Sequence, residues 1–146
     1  MGRSSHFWES FQSHFGRRIT LMATFGYVQL SSDRDSNFLQ VCDIGRSDRW
    51  FVDSASSRFV SILKRPKFLE ARKALRKGDT FVVYATDLLS TNPKELLQAL
   101  QSLRRKGATV VVARAPFTLA STDGKAYMAL LRTVVKMQVR LQRLQW

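Results

Sequence analysis

Apolar and polar positions change rhythm several times along the chain. From Phe25 onward, four short apolar runs, FGYVQL, RWFVD, TFVVYAT and TVVVAR, are rich in β-branched and aromatic residues, as buried strands tend to be. Helical patterns separate them. Phe38, Leu39 and Cys42 follow the polar SSDRDSN, and Phe68, Leu69, Ala71 and Leu75 follow Pro66, a favourable first helical residue. Asn92 reads as an N-cap, Pro93 as N1 and Glu95 as the N3 partner of a capping box. They open a helix that carries Leu96, Leu97, Leu100 and Leu103 and ends at Gly107. Strands alternating with helices predict an α/β domain with a mostly parallel sheet flanked by helices.

The two ends of the chain behave differently. Gly124 to Trp146 has no helix breaker after its first residue, so a long C-terminal helix is predicted from about residue 124. Tyr127, Leu130, Leu131, Val134, Val135, Leu141 and Leu144 form its apolar stripe. Arg132, Lys136, Arg140 and Arg143 line another face, and the segment has no acidic residue. That face is either solvated or directed at a second subunit or a phosphate backbone. At the other end, Phe7, Phe11 and Phe15 recur every fourth residue, in a stretch that lacks the apolar core of a secretory signal. Residues 1–22 are read as an N-terminal extension, with Met22 a candidate alternative start, and 23–146 as the domain proper. His6 and His14 lie in the extension and read as surface histidines, so no metal is expected.

Charge and cysteine content narrow the class. The 146 residues carry 24 Lys and Arg against 11 Asp and Glu, a net +13 that draws the protein to polyanions, nucleic acid ahead of an acidic membrane surface. The single cysteine, Cys42, has no intrachain partner and reads as a core thiol in a reducing compartment. No apolar run approaches the roughly 20 residues needed to span a bilayer, which implies a cytoplasmic protein. The first strand leads into SSDRD, neither GxGxxG nor a P-loop, so nucleotide-binding readings of an α/β fold lose their main support.

Chemistry in open α/β sheets collects beyond the carboxyl ends of the strands. Ser31, Asp53 and Asp87 each follow a strand and are expected to share one crevice, with helix capping as the competing role for these residue types.

In order and spacing these residues resemble the catalytic domain of the serine recombinases, the resolvase and invertase family. That family opens on Y-x-R-V-S, whose serine attacks a DNA phosphate; here the segment reads Tyr27, Val28, Gln29, Leu30, Ser31. A glutamine nine residues on matches Gln40. D-x-A-S-G resembles Asp53 to Ser56, with Ser57 in place of glycine. R-P-x-L and G-D match Arg65, Pro66, Gly78 and Asp79, D-R-L-x-R lines up with Asp87 to Thr91, and the last motif falls in STDGKAY. The resemblance covers Phe25 to Arg143 and implies a single resolvase-like domain, no cofactor, DNA as partner, and dimerisation through the long helix with itself or with an intact recombinase.

The departures concern charge. Phosphoryl transfer without a metal needs fixed cations and donors around the phosphate oxygens, and in the family arginines supply them. Gln29, Leu88 and Thr91 replace three, and the E-R pair of the long helix falls at Gln138 and Val139, which removes a fourth. Arg65 remains, with Arg34 and Arg58 as candidate substitutes. The chain also stops at Trp146, where the resemblance leads one to expect a helix-turn-helix. The expectation is a degenerate recombinase domain in which Ser31, Gln40, Asp53, Arg65 and Asp87 are vestigial catalytic positions and Arg132, Lys136, Arg140 and Arg143 contact nucleic acid. Two rivals stay open: an active minimal recombinase that uses Ser31, and a protein-interaction module with no DNA role.

Overall fold

A computed structural model describes residues 22–114 and 117–144. The proposed extension, with its phenylalanines and both histidines, lies outside the described residues apart from Met22. Strand β1 (Thr24–Gln29) is followed by helix α1 (Arg34–Ile44) and β2 (Arg49–Asp53). Two short 3-10 turns then lead into α2 (Pro66–Ala74), β3 (Thr80–Val83), α3 (Pro93–Arg105) and β4 (Thr109–Val112). A two-residue strand, β5 (Phe117–Thr118), and the long helix α4 (Thr122–Leu144) complete the chain.

The sheet order is β2-β1-β3-β4-β5, the first four strands parallel and β5 antiparallel to β4. The alternation predicted from the apolar runs is therefore the observed architecture; β5 is an addition too short to leave a periodic signal. Because the chain runs from β1 outward to β2 and from β3 outward to β4, the direction of winding reverses between β1 and β3. That reversal opens a crevice past their carboxyl ends.

The two faces of the sheet are unequally covered. Phe25 and Tyr27 of β1, Phe51, Phe81, Val83 and Val110 point to one side, where they meet Phe68, Ala71 and Leu75, the α3 row Leu96, Ala99, Leu100 and Leu103, and Met128 and Leu131 of α4. Aromatic rings carry much of this packing: Tyr27 stacks on Phe81 at 5.8 Å and meets Phe68 edge-on at 5.9 Å, spacings favoured by ring quadrupoles. Among the described residues the opposite face is covered by α1, whose Ile44 joins Val28 and Val82 in a small cluster. Here the structure corrects the sequence reading. The Phe38–Leu39–Cys42 side of α1 faces outward, Cys42 is exposed rather than a core thiol, and the helix buries Gln40 and Ile44 instead.

Helix ends follow their capping chemistry, with three revisions. Asp33, not Ser31, caps α1: its Oδ1 accepts from the Asp35 amide at 3.0 Å. Asn92 caps α3 as expected, but the box is not reciprocal. Ser90 stands between, its Oγ accepting from the Asn92 amide and donating to Glu95 Oε2. Helix α4 starts at Thr122, two residues before the predicted Gly124, because the Ser121 hydroxyl accepts from the Gly124 amide at 3.1 Å. Gly124 is buried inside that first turn, where a Cβ would collide with the Thr118 carbonyl oxygen and the Leu119 backbone. Only a glycine lets α4 leave the domain at this angle.

Beyond that turn α4 docks through Gly124, Met128 and Leu131, Val134 and Val135 are half-buried, and the residues from Lys136 on are exposed. Of the predicted stripe, Leu130, Leu141 and Leu144 face solvent together with Met137. With half-buried Val134, these residues fall at 130, 134, 137, 141 and 144, the alternating four-and-three spacing of a coiled-coil seam.

The candidate site at the carboxyl ends of β1 and β3

At the winding reversal, the last residue of β1, Gln29, and the turn after β3, Thr86–Leu88, border an open cleft of about 440 Å³. Asp87, Leu88 and Thr91 line it on one side, and Arg58 and Arg65 on the other. Gln29 is 1% exposed. Its Nε2 donates to the carbonyls of Leu30 and Ser54, both at 2.9 Å, which leaves its Oε1 as a buried acceptor with no hydrogen-bond partner. A neutral amide thus forms part of the cleft wall.

Arg65 is 5% exposed. It gives Nε to Val60 O at 3.0 Å and Nη1 to Leu88 O at 2.7 Å, so two of its donors are committed to main-chain carbonyls. The guanidinium holds the wall of the cleft together as well as charging it. Arg58 lies at the rim with its guanidinium 5.0 Å from the centre of the exposed Phe59 ring. The two cations are balanced by Asp87 and Glu95 in the same lining.

Of the three residues expected to share one crevice, Asp87 lines this cleft, and Ser31 and Asp53 are not in its lining. Ser31 lies in the turn after β1, pinned by Asn37: its amide donates to Asn37 Oδ1 at 2.8 Å and its carbonyl accepts from Asn37 Nδ2 at 2.8 Å. Its Oγ accepts from the Asp33 amide at 3.2 Å and reaches Asn37 Oδ1 at 3.3 Å. Carboxamide and main-chain carbonyl oxygens are poor bases, so neither the Asn37 contact nor that to the Asp33 carbonyl at 3.4 Å activates the hydroxyl.

Asp53 is buried beneath the cleft. It accepts from the Tyr27 hydroxyl at 2.8 Å and from the Lys67 and Phe68 amides at 2.9 and 3.1 Å. Those amides belong to the first turn of α2, whose own N-cap, Arg65, offers no side-chain acceptor. Asp53 therefore caps a helix from across the core, where negative charge is favoured by the helix dipole. Burial, reinforced by the Asp53 carboxylate and opposed by Arg65, holds the Tyr27 phenol well above its usual range. Gln40 is equally enclosed: Oε1 accepts from the Gln29 amide at 3.2 Å and Nε2 donates to the Gln29 carbonyl at 2.9 Å. Asp79 has a comparable anchoring role, accepting from the Ala23 and Arg76 amides. None of these buried polar partners was visible in periodicity.

The four α4 cations Arg132, Lys136, Arg140 and Arg143 are all exposed. Among the described residues no cluster of three or more His, Cys, Asp and Glu is arranged to hold a metal, and no helix is long and apolar enough to cross a membrane.

Solved structures share this architecture. The N-terminal catalytic domain of TP901-1 integrase superposes with a TM-score of 0.66 at 14% identity, covering 82% of this chain and 98% of that one. A resolvase family site-specific recombinase from Streptococcus pneumoniae gives 0.65 at 14% identity, over 86% and 93% of the two chains. In sequence, DNA-invertase hin of Salmonella typhimurium is 29% identical over 122 residues, and a DNA-invertase of Salmonella abortus-equi is 35% identical over 89. The matches cover 82% and 60% of this chain, and the chain spans only 63% and 45% of the lengths of those relatives. The Resolvase, N terminal domain family matches residues 26–145, and the chain belongs to it: this is a serine recombinase catalytic domain of the resolvase type.

Proposed function

We propose that the chain acts in DNA recombination as a binding and pairing module whose strand-cleavage activity is lost or strongly reduced. The observation that carries this reading is the composition of the cleft. The positions where the resemblance implies arginines, Gln29, Leu88 and Thr91, are gathered around one cavity and supply no positive charge to it. Developing charge on a phosphoryl group needs such donors, and loss of one commonly costs about 10² to 10³ in rate. Arg65, the retained cation, commits two of its five donors to main-chain carbonyls.

The outward seam of α4 supports pairing, with a second copy or with an intact recombinase. Leu130, Met137, Leu141 and Leu144 expose apolar surface in register for a facing helix. Arg132, Lys136 and Arg143 lie off that seam, so pairing leaves them open to a phosphate backbone.

A second reading, residual activity through Ser31, is favoured by Arg58 at the cleft rim, a cation stacked on an exposed ring rather than tied into the wall. The deciding experiment incubates the protein with an end-labelled random-sequence duplex and resolves covalent adducts on a denaturing gel. No adduct is expected. An adduct that disappears in Ser31→Ala overturns the inactive reading and establishes the serine as nucleophile.

A further inference from the structure

A second charged surface lies on the far side of the helical layer, away from the cleft and not foreseen in the sequence. Arg72 and Lys73 at the end of α2 and Arg105 and Lys106 at the end of α3 border a groove of about 480 Å³ with Leu69 and Ser102. Arg105 also borders a neighbouring groove of about 330 Å³, together with Arg104, Gln101 and Arg132 of α4. The two depressions meet at Arg105, which lines both. No carboxylate lines either one.

The backbone enforces this crowding. The Gly78 amide donates to Gly107 O at 3.1 Å, which clamps the turn after α2 against the turn after α3. Gly107 has φ +81°, and a Cβ there would lie 3.0 Å from Lys77 Cα. Exposed Arg76 and Lys77 are thereby held beside Lys106. Cations in a last helical turn normally complement the carbonyl end of the helix, which carries about half a negative charge. Two cations sit in the last turn of each helix and three more follow in the turns, so the charge far exceeds what the helix ends neutralise. The nearest acidic residue on α2, Glu70, is already paired with Lys67 at 2.9 Å.

The carboxylate in these turns, Asp79, is engaged by the Ala23 and Arg76 amides, and the excess of positive charge around it attracts a polyanion. We propose that the ends of α2 and α3 form a second phosphate-binding surface for duplex DNA, which is joined through Arg132 to the basic face of α4. It reads the sugar–phosphate backbone and not base sequence, since the groove offers point charges and one hydroxyl. The proposal rests on the DNA-binding reading given above.

The test measures anisotropy of a labelled random-sequence duplex across a salt series. One variant carries Arg72→Gln, Lys73→Gln, Arg105→Gln and Lys106→Gln. A charge-matched control carries Arg46→Gln, Lys64→Gln, Lys94→Gln and Lys125→Gln, and a third carries Gln at the four α4 cations. The groove variant is expected to bind more weakly than the control, with a log K against log salt slope shallower by about 0.9 for each phosphate that the groove no longer neutralises. The α4 variant keeps salt-sensitive binding that disappears when the two sets are combined. Groove and control variants that behave alike overturn the second surface and leave DNA binding through α4 intact. No binding by the wild-type protein at low salt removes the DNA reading and this proposal with it. Binding to phosphatidylserine vesicles that duplex DNA does not displace assigns the groove to a lipid surface and overturns the proposal.

Discussion

The side-chain amide of Gln40 pairs with the main-chain amide of Gln29 at both ends, accepting at 3.2 Å and donating at 2.9 Å. Gln40 thereby does for the end of β1 what a neighbouring strand does elsewhere: it satisfies one N–H and one C=O where the ladder runs out. The residue that the resemblance marks as a site position is, in this chain, a peg that fixes the strand leading to Ser31.

Replacing Gln40 with Leu leaves both backbone groups buried and unpaired. Each such group costs about 1 to 3 kcal/mol. Urea denaturation should show a lower midpoint with an unchanged slope. A midpoint equal to wild type would mean that the pair contributes nothing.

Charge can be returned to the cleft at two positions. Thr91 is exposed and Leu88 half-buried against the edge of the core, so Leu88→Arg with Thr91→Arg adds two cations at the loss of the Leu88 packing. If the cleft is impaired by missing donors, the double variant should gain Ser31-dependent adducts by at least about 10²-fold, the effect of one stabilising donor. Because effects within one site are not additive, the second arginine adds less than another full factor. An unchanged adduct yield would place the defect in the position of Ser31 instead.

The raised Tyr27 pKa links folding to alkaline pH. Burial and Asp53 favour the neutral phenol in the fold, so the unfolded chain loses this proton first as pH rises. Stability from this group is complete below the ordinary phenol value of about 10 and falls as pH climbs above it toward the folded value. Tyr27→Phe loses the hydrogen bond to Asp53 at every pH and should show a flatter decline above about pH 10. Denaturation curves at pH 8 and 11 compare the two slopes; equal slopes would place the alkaline sensitivity elsewhere.

Pairing through α4 is tested at the centre of its exposed seam. Met137→Glu puts a charge where a facing helix would bury it, a change that disfavours association by several kcal/mol when the carboxylate is left unpaired. Sedimentation should show dimers of the wild type and monomers of the variant, with equal thermal stability of the domain. A wild type that stays monomeric across the accessible concentration range rules out self-pairing and leaves an intact recombinase as the partner to try.

What the sequence revealed, and what it hid, follows from locality. FGYVQL, TFVVYAT and TVVVAR announce buried strands because β-branched and aromatic residues suit a sheet enclosed on its main face. Asn92–Pro93 announces a helix start because capping is settled within four residues. The cap on α2 was hidden: Asp53 reaches amides 14 and 15 residues later in the chain, a pairing that only the folded core creates. Cys42 misled because a helix that buries only Gln40 and Ile44 has a narrow contact stripe, which leaves Phe38 and Leu39 outside it. In the cleft lining, Asp87 was legible because it follows a strand directly, and Gln29, Arg65, Leu88 and Thr91 through the order of the motifs they share with the family. Ser31 did not join them because its turn is held by Asn37, a hydrogen-bonding detail too fine for a pattern of residue types to carry.

The uneven covering of the sheet also orders how the molecule comes apart. Helix α1 docks through its own Ile44 on Val28 and Val82, with Leu30, Val111 and Ala113 beside them, while α2, α3 and the base of α4 share the large aromatic core. Local opening follows buried contact, so α1 should exchange its amide hydrogens well before β3 or α3 does. When it lifts, the Gln40 peg withdraws and the Asn37 clasp on Ser31 releases with it. The turn that holds the serine is therefore tied to a helix with a smaller buried footing than α2 or α3, free to change its surroundings without unfolding the rest.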